Sequence, residues 1–206
     1  MTHSLLPLLR QAAAFAQRAF CTLPVRFAVV VAIFVAVVMP AHAATPFEVR
    51  VTGTGPPSIF TTLGQHPRLF RAWLRYSAQL MPFGHLPRRD TELVILRVAW
   101  ECRSAYEWHQ HVPIALRVGL TPDEVAGVAD RSAEDVFTGR QQALLAVSDE
   151  LLARRELSDT TWSAVQATLG NREAIELCLL VGNYQGLAST IGGLGIQIEQ
   201  DPGRQG

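Results

Sequence analysis

Apolar residues recur along this chain at helical spacing, and nowhere do they alternate with period two over the length of a strand. In residues 66–81, HPRLFRAWLRYSAQLM, the positions Leu69, Phe70, Trp73, Leu74, Ser77, Leu80 and Met81 fall near i, i+4, i+8 spacing. Pro67 stands where a first helical turn accepts it. PFGHLP then breaks the chain. Residues 88–103, RRDTELVILRVAWECR, are apolar on most sides, the pattern of a central, buried helix. A further helix is predicted over 104–118, with Pro113 kinking or restarting it and Gly119 ending it. TPDE at 121–124 is a capping box that opens the next. Residues 130–139 read as a polar loop. Leu144, Leu145, Val147, Leu151 and Leu152 mark an amphipathic helix over 140–154. A short helix near 159–169 is closed by Gly170–Asn171, and a last long one covers 172–190. The pattern predicts an all-α bundle of about six helices and no sheet.

The N-terminal part differs in kind. Residues 27–39, FAVVVAIFVAVVM, are almost wholly apolar, with Arg10, Arg18 and Arg26 before them and AHAA at 41–44 after them. A positive segment, a short apolar run and a small-x-small site describe a secretory signal peptide, with cleavage expected after Ala43. The run is short for a membrane span. The positive segment is long for a signal, and Met39 offers a later start. Residues 1–45 are therefore expected to be a leader for export or membrane tethering, or, if translation starts at Met39, to give way to a cytoplasmic protein with no leader. Residues 45–57 read as an extended lead-in, and 46–206 as the domain.

Composition narrows the function classes. The 206 residues are 49% hydrophobic with zero formal net charge, which suits a globular domain with a real core. Every basic residue is Arg, but there is no basic excess, so nucleic-acid binding has no electrostatic support. Cys21, Cys102 and Cys178 are scattered and form no CxxC pair. They provide neither a disulfide framework nor a zinc site.

Candidate chemistry concentrates in residues 100–113, WECRSAYEWHQHVP. On one helix Ser104, Glu107 and His111 stand at i, i+3, i+7 and share a face. If the helix is continuous, Cys102 lies about 200° round from Ser104. Glu92 is an acid in a strongly apolar helix, where pairing or a raised pKa is expected. His111 is its natural partner. A carboxylate that orients an imidazole serves general acid–base catalysis; the structural alternative is a buried network that fixes two helices. His109 and His111, two apart, face away from each other on a helix, unlike the i, i+4 pair of a helical zinc site. No metal or cofactor is expected. His66 and His85 read as solvated.

The segment TELVILRVAWECRSAYEWHQHVPIALRVGLTPDEV resembles the carboxymuconolactone decarboxylase family, which includes the alkylhydroperoxidase-like proteins. The agreement extends through IFTTLGQHPRLFRAWLRYSAQLM upstream and ELCLLVGNYQGLAST downstream, over roughly residues 56–198. The resemblance implies an alkylhydroperoxidase-type helical fold assembled into trimers or hexamers. The peroxidase branch carries a Glu, a CxxC and a His. Here the Glu falls on Glu92, the His on His111, and the two cysteine positions on Ser104 and Glu107. Both thiols are missing, and Ser cannot replace a thiolate that attacks peroxide and is then resolved.

What remains suits the decarboxylase branch. The implied substrate is a small carboxylated or lactone compound. His111 would act as general acid–base, Glu92 would orient it, and Glu107 would share the proton or position the substrate. An arginine, Arg97 or Arg103, would neutralise a carboxylate. Ser104, Trp108 and Tyr184 are the further candidates for substrate contact, with Trp100, Tyr106 and Asn183 as pocket wall or packing. Two other readings stand beside this one: a thiol-dependent peroxidase using Cys102, and a non-catalytic oligomeric binding module.

Overall fold

The computed structural model describes residues 58–130 and 134–199. The expected leader and its cleavage site lie outside them. The described residues form eight α-helices and no strand. They are α1 (Ser58–Leu63), α2 (Pro67–Leu80), α3 (Arg88–Glu101), α4 (Ala105–Arg117), α5 (Pro122–Ala129), α6 (Gly139–Arg154), α7 (Asp159–Thr168) and α8 (Asn171–Leu194), with a 3-10 turn at Glu134–Val136. Seven of the eight answer to segments that the pattern delimits; the eighth, α1, at six residues, is too short to show a period in sequence.

α3 is the axis of the bundle. All ten residues from Asp90 to Ala99 are buried, because α4, α5, α6 and α8 pack around it. Leu93, Val94, Ile95, Leu96 and Val98 form the core with Leu144, Val147, Leu177 and Leu180. A side chain of this size contributes about 1.5–3 kcal/mol when fully buried. The helix also buries charge, and each charge is met from a neighbour. Asp90 pairs with Arg140 of α6 at 2.8 Å, and the same guanidinium reaches Glu173 of α8 and the Thr168 carbonyl, both at 2.7 Å. Arg89 pairs with Glu124 of α5, which also accepts from Gln141 of α6 at 2.8 Å.

The punctuation follows local chemistry. Thr121 and Glu124 close the expected capping box, with Thr121 N donating to Glu124 at 2.8 Å. Gly119 has φ +100 and ends α4 in the left-handed conformation that favours glycine. Pro113 does not restart the helix: α4 runs through it to Arg117. Pro113 and His109 are both exposed, so water can serve the carbonyl left without an N–H. His66 is not merely solvated, since its Nδ1 caps α2 by accepting from Leu69 N at 3.3 Å. Cys102 and Cys178 are free thiols.

The stretch 88–118 is not one helix. α3 ends at Glu101 with Cys102 as its C-cap, Arg103 takes φ 54, and Ser104 is the N-cap of α4. Left-handed backbone is unusual for a residue with a Cβ. The corner lets α4 fold back along α3.

Candidate active site

A cavity of about 510 Å³ opens between α1, α2, α4 and α8, with Arg88 of α3 reaching into its lining. Its walls are mostly apolar: Trp73 and Leu74 from α2, Ile114 from α4, and Tyr184, Leu187 and Ile191 from α8. The polar lining comes mainly from α4, as Glu107, His109, Gln110, His111 and Arg117.

His111 and Glu92 meet here across two helices. His111 Nδ1 lies 2.8 Å from Glu92 Oε2. Glu92 is fully buried, and the His111 side chain is 12% exposed. The other oxygen of Glu92 pairs with Arg88, one turn earlier on α3. With the guanidinium holding the carboxylate as an acceptor, Nδ1 carries the shared proton and Nε2 is the nitrogen left for other partners. The Tyr184 ring packs edge-on against the imidazole, with centroids 5.3 Å apart and planes at 82°. Burial holds the Tyr184 hydroxyl well above its ordinary pKa, and the charge of Glu92 adds to this. It is a neutral phenol, 3.7 Å from the Met81 sulfur.

Glu107 lies one turn before His111 on α4. It is 2% exposed, and neither carboxylate oxygen has a hydrogen-bond partner among the described residues. Burial pushes its pKa from 4.5 up to about 7; the nearby Ser104 hydroxyl and His111 pull it down by less. An unpartnered buried carboxyl is unfavourable as an anion, and the proton is the cheapest way to neutralise it. Glu107 can therefore hold or release a proton near neutrality.

The structure brings together Glu92, Glu107, His111 and Tyr184. It separates the rest. Arg97 is 5% exposed on the far side of α3, where it donates to the Val128 carbonyl and pairs with Asp149 at 3.3 Å. It is committed to α5 and α6 and does not line the cavity. Trp108 packs on Trp100 with centroids 5.5 Å apart. With Arg103 and Ser104 these two line a separate hollow at the α3–α4 corner. Ser104 therefore touches the site only through its neighbour Glu107. Two arginines line the cavity, Arg117 on α4 and Arg88 on α3; Arg88 was overlooked in the sequence although its i, i+4 spacing to Glu92 marks the same face of α3. A second omission is Glu199, which accepts from Tyr106 at 2.9 Å and Gln110 at 2.6 Å and so backs the cavity wall.

Cys102 offers no activated thiol. Burial raises its pKa, and the charges of Glu107 and Glu101 raise it further. Reactive cysteines need the opposite surroundings.

Residues 67–150 match the profile of the carboxymuconolactone decarboxylase family. No curated protein matches the chain. Among solved structures, a protein of unknown function from Agrobacterium tumefaciens, with a proposed antioxidant-defence role as an AhpD, superposes with a TM-score of 0.63 at 18% identity, over 68% of this chain and 97% of that one. The AhpD core of an uncharacterised peroxidase-related protein from Ralstonia eutropha gives 0.63 at 19% identity, over 70% and 78%. A cysteine-to-alanine variant of the debrominase Bmp8, in complex with 2,3,4-tribromopyrrole, gives 0.63 at 18%, over 70% and 78%. At these identities the likenesses establish the fold. Residues 67–150 thus carry the match to the carboxymuconolactone decarboxylase family, within a helical bundle of the AhpD type.

Proposed function

We propose that this protein is an acid–base enzyme that moves a proton to or from a carbon atom of a small carboxylated compound. The decarboxylation of a lactone acid is the form that the family match favours. The observation that carries the reading is the Glu92–His111 contact at 2.8 Å on the wall of a cavity that also holds a buried Glu107 titrating near 7.

In such a reaction the carbon–carbon bond to a carboxylate breaks and its electron pair stays on the substrate. One proton must then reach that carbon. His111 delivers it from Nε2, held in orientation by Glu92. Glu107 is the adjacent proton store, poised between its two states at neutral pH. The apolar walls exclude water and strengthen each of these interactions. Thiol-peroxide chemistry is disfavoured by the surroundings of Cys102. The bound tribromopyrrole of the debrominase is a small, flat ligand in the same fold, and a cavity of this size suits compounds of that kind.

The test is a screen of small lactone acids and carboxylates with the wild type and His111→Ala. The reading expects at least one compound to be converted by the wild type and to be lost with His111→Ala. Equal turnover by both proteins removes His111 from the mechanism. The reading includes assembly into a homo-oligomer, a trimer or hexamer. Its support is the apolar surface of α2 and α8, where Leu69 is 60% and Ile175 63% exposed. Light scattering at micromolar concentration checks it, and a monomeric mass counts against it.

A further inference from the structure

Five lining residues carry or can carry charge. Arg88 comes from α3, and Glu107, His109, His111 and Arg117 come from α4. The contributions of α1, α2 and α8 to the wall are uncharged. Arg117 and His109 are exposed at the mouth, where solvent screens them. Arg88 is the more enclosed cation, with its side chain 15% exposed. Among the described residues one arm of its fork is seen in use: Nη2 pairs with Glu92. Nη1 is buried and has no acceptor among the described residues. A guanidinium on a cavity wall with one arm unpaired lacks an oxygen that the described residues do not supply.

We propose that Arg88 is the anchoring and specificity residue of this cavity, and that the missing oxygen is a carboxylate of a small, flat, largely apolar acid. The proposal rests on the acid–base reading above for the chemistry, but not for the binding. Glu92 holds the Arg88 guanidinium on one oxygen and the His111 imidazole on the other. A ligand carboxylate on Arg88 therefore holds the ligand beside His111, while its body lies against Trp73, Leu74, Ile114 and Leu187.

The geometry also fixes which group reacts. An ion pair with Arg88 stabilises a carboxylate but not the neutral carbon dioxide it would become. The group held by Arg88 is thus retained through turnover, and any group lost is a different one. The sequence pointed to Arg97 or Arg103 for this role. Arg97 is already committed to Val128 and Asp149, and Arg103 belongs to the corner hollow.

The experiment is isothermal titration calorimetry of the full chain with benzoate and with benzamide, its uncharged counterpart. A charge-assisted contact in a buried site leads us to expect benzoate to bind about ten- to hundred-fold more tightly than benzamide. Arg88→Met should abolish this preference and leave benzamide binding intact. Arg88→Lys, which keeps the charge without the fork, should lower it several-fold, and carries the test should Arg88→Met fail to fold. Arg117→Met and His111→Ala should both retain it. Equal binding of the two probes to the wild type, no saturable binding of benzoate, or a preference that survives Arg88→Met or shows no loss with Arg88→Lys would overturn the proposal. Arg88-dependent preference without turnover of any screened compound overturns the acid–base reading alone. His111-dependent turnover without the preference overturns the anchor alone.

Discussion

Glu92 joins Arg88 and His111 through its two carboxylate oxygens, and its contact with His111 spans nineteen residues of sequence at 2.8 Å. Removing that carboxylate leaves a buried guanidinium without its counter-charge. Glu92→Ala is expected to cost about 3–5 kcal/mol of stability, read by chemical denaturation. Glu92→Gln, nearly isosteric, should fold better yet lose turnover as His111→Ala does, by a factor on the order of 10²–10⁴. Because the two residues act as one unit, the double variant should fall no further than the worse single. Independent, additive losses would show that Glu92 does not act through His111.

Glu107 makes stability depend on pH with an unusual sign. Its pKa rises from 4.5 unfolded to about 7 folded, so the folded protein binds the extra proton between those values. Stability is full below about pH 4.5, declines as pH rises toward 7, and is lower by about 3 kcal/mol above it. Glu107→Gln should remove this slope and raise stability at pH 8. Denaturant midpoints of both proteins at pH 5 and pH 8 check it. A wild type with no more loss over that range than Glu107→Gln would mean that Glu107 is not buried as described.

Cys102 should be a slow thiol. With burial, Glu107 and Glu101 all raising its pKa, little thiolate exists at neutral pH. Alkylation by iodoacetamide at pH 7 should run well below the rate of a free cysteine peptide, and Cys102→Ala should leave any His111-dependent turnover unchanged. Peroxide consumption that vanishes in Cys102→Ala would reinstate the thiol reading.

The loop that leads into α3 is held by Glu176 of α8, whose carboxylate accepts from Leu86 N at 3.0 Å and from His85 N. Gly84 lies beneath it. A Cβ there would stand 2.0 Å from Glu176 Oε1 and 2.6 Å from the Leu80 carbonyl. The side chain could swing away, but the backbone oxygen cannot. Gly84→Ala is expected to destabilise by about 1–3 kcal/mol and, by shifting the start of α3, to weaken benzoate binding at Arg88. Unchanged thermal unfolding would show that the loop has more room than this.

The helices and two of the three catalytic candidates were legible because they depend on local chemistry. The apolar run from Leu93 to Ala99 announces a helix buried all round, and Thr121 with Glu124 announces a start. Glu107 and His111, one turn apart on α4, share a face by periodicity alone. The pairing of Glu92 with His111 followed from the cost of leaving an acid alone in a core. The arginine did not follow, because Arg88, Arg97 and Arg103 all lie near Glu92 or His111 in sequence. Only the packing of α5 and α6 on one side of α3 tells that Arg97 is already paired with Asp149 and bonded to the Val128 carbonyl. The phase between α3 and α4 was equally hidden. A continuous helix placed Cys102 by a rotation that the break at 102–104 makes irrelevant; its inertness comes from burial and acidic neighbours instead.

That break has a consequence for how the site tolerates change. Within a helix, the angular relation of two side chains follows from counting residues; across the left-handed turn at Arg103 it follows from the turn alone. Glu92 and His111 are therefore kept in step by the three residues of the corner, Cys102 to Ser104. One residue inserted between Cys102 and Ser104 would replace that turn with another and reset both the direction and the phase of α4, carrying His111 off Glu92 and Glu107 out of the cavity wall while both helices remain intact. The corner thus sets the register of the site, as a keyway sets two shafts.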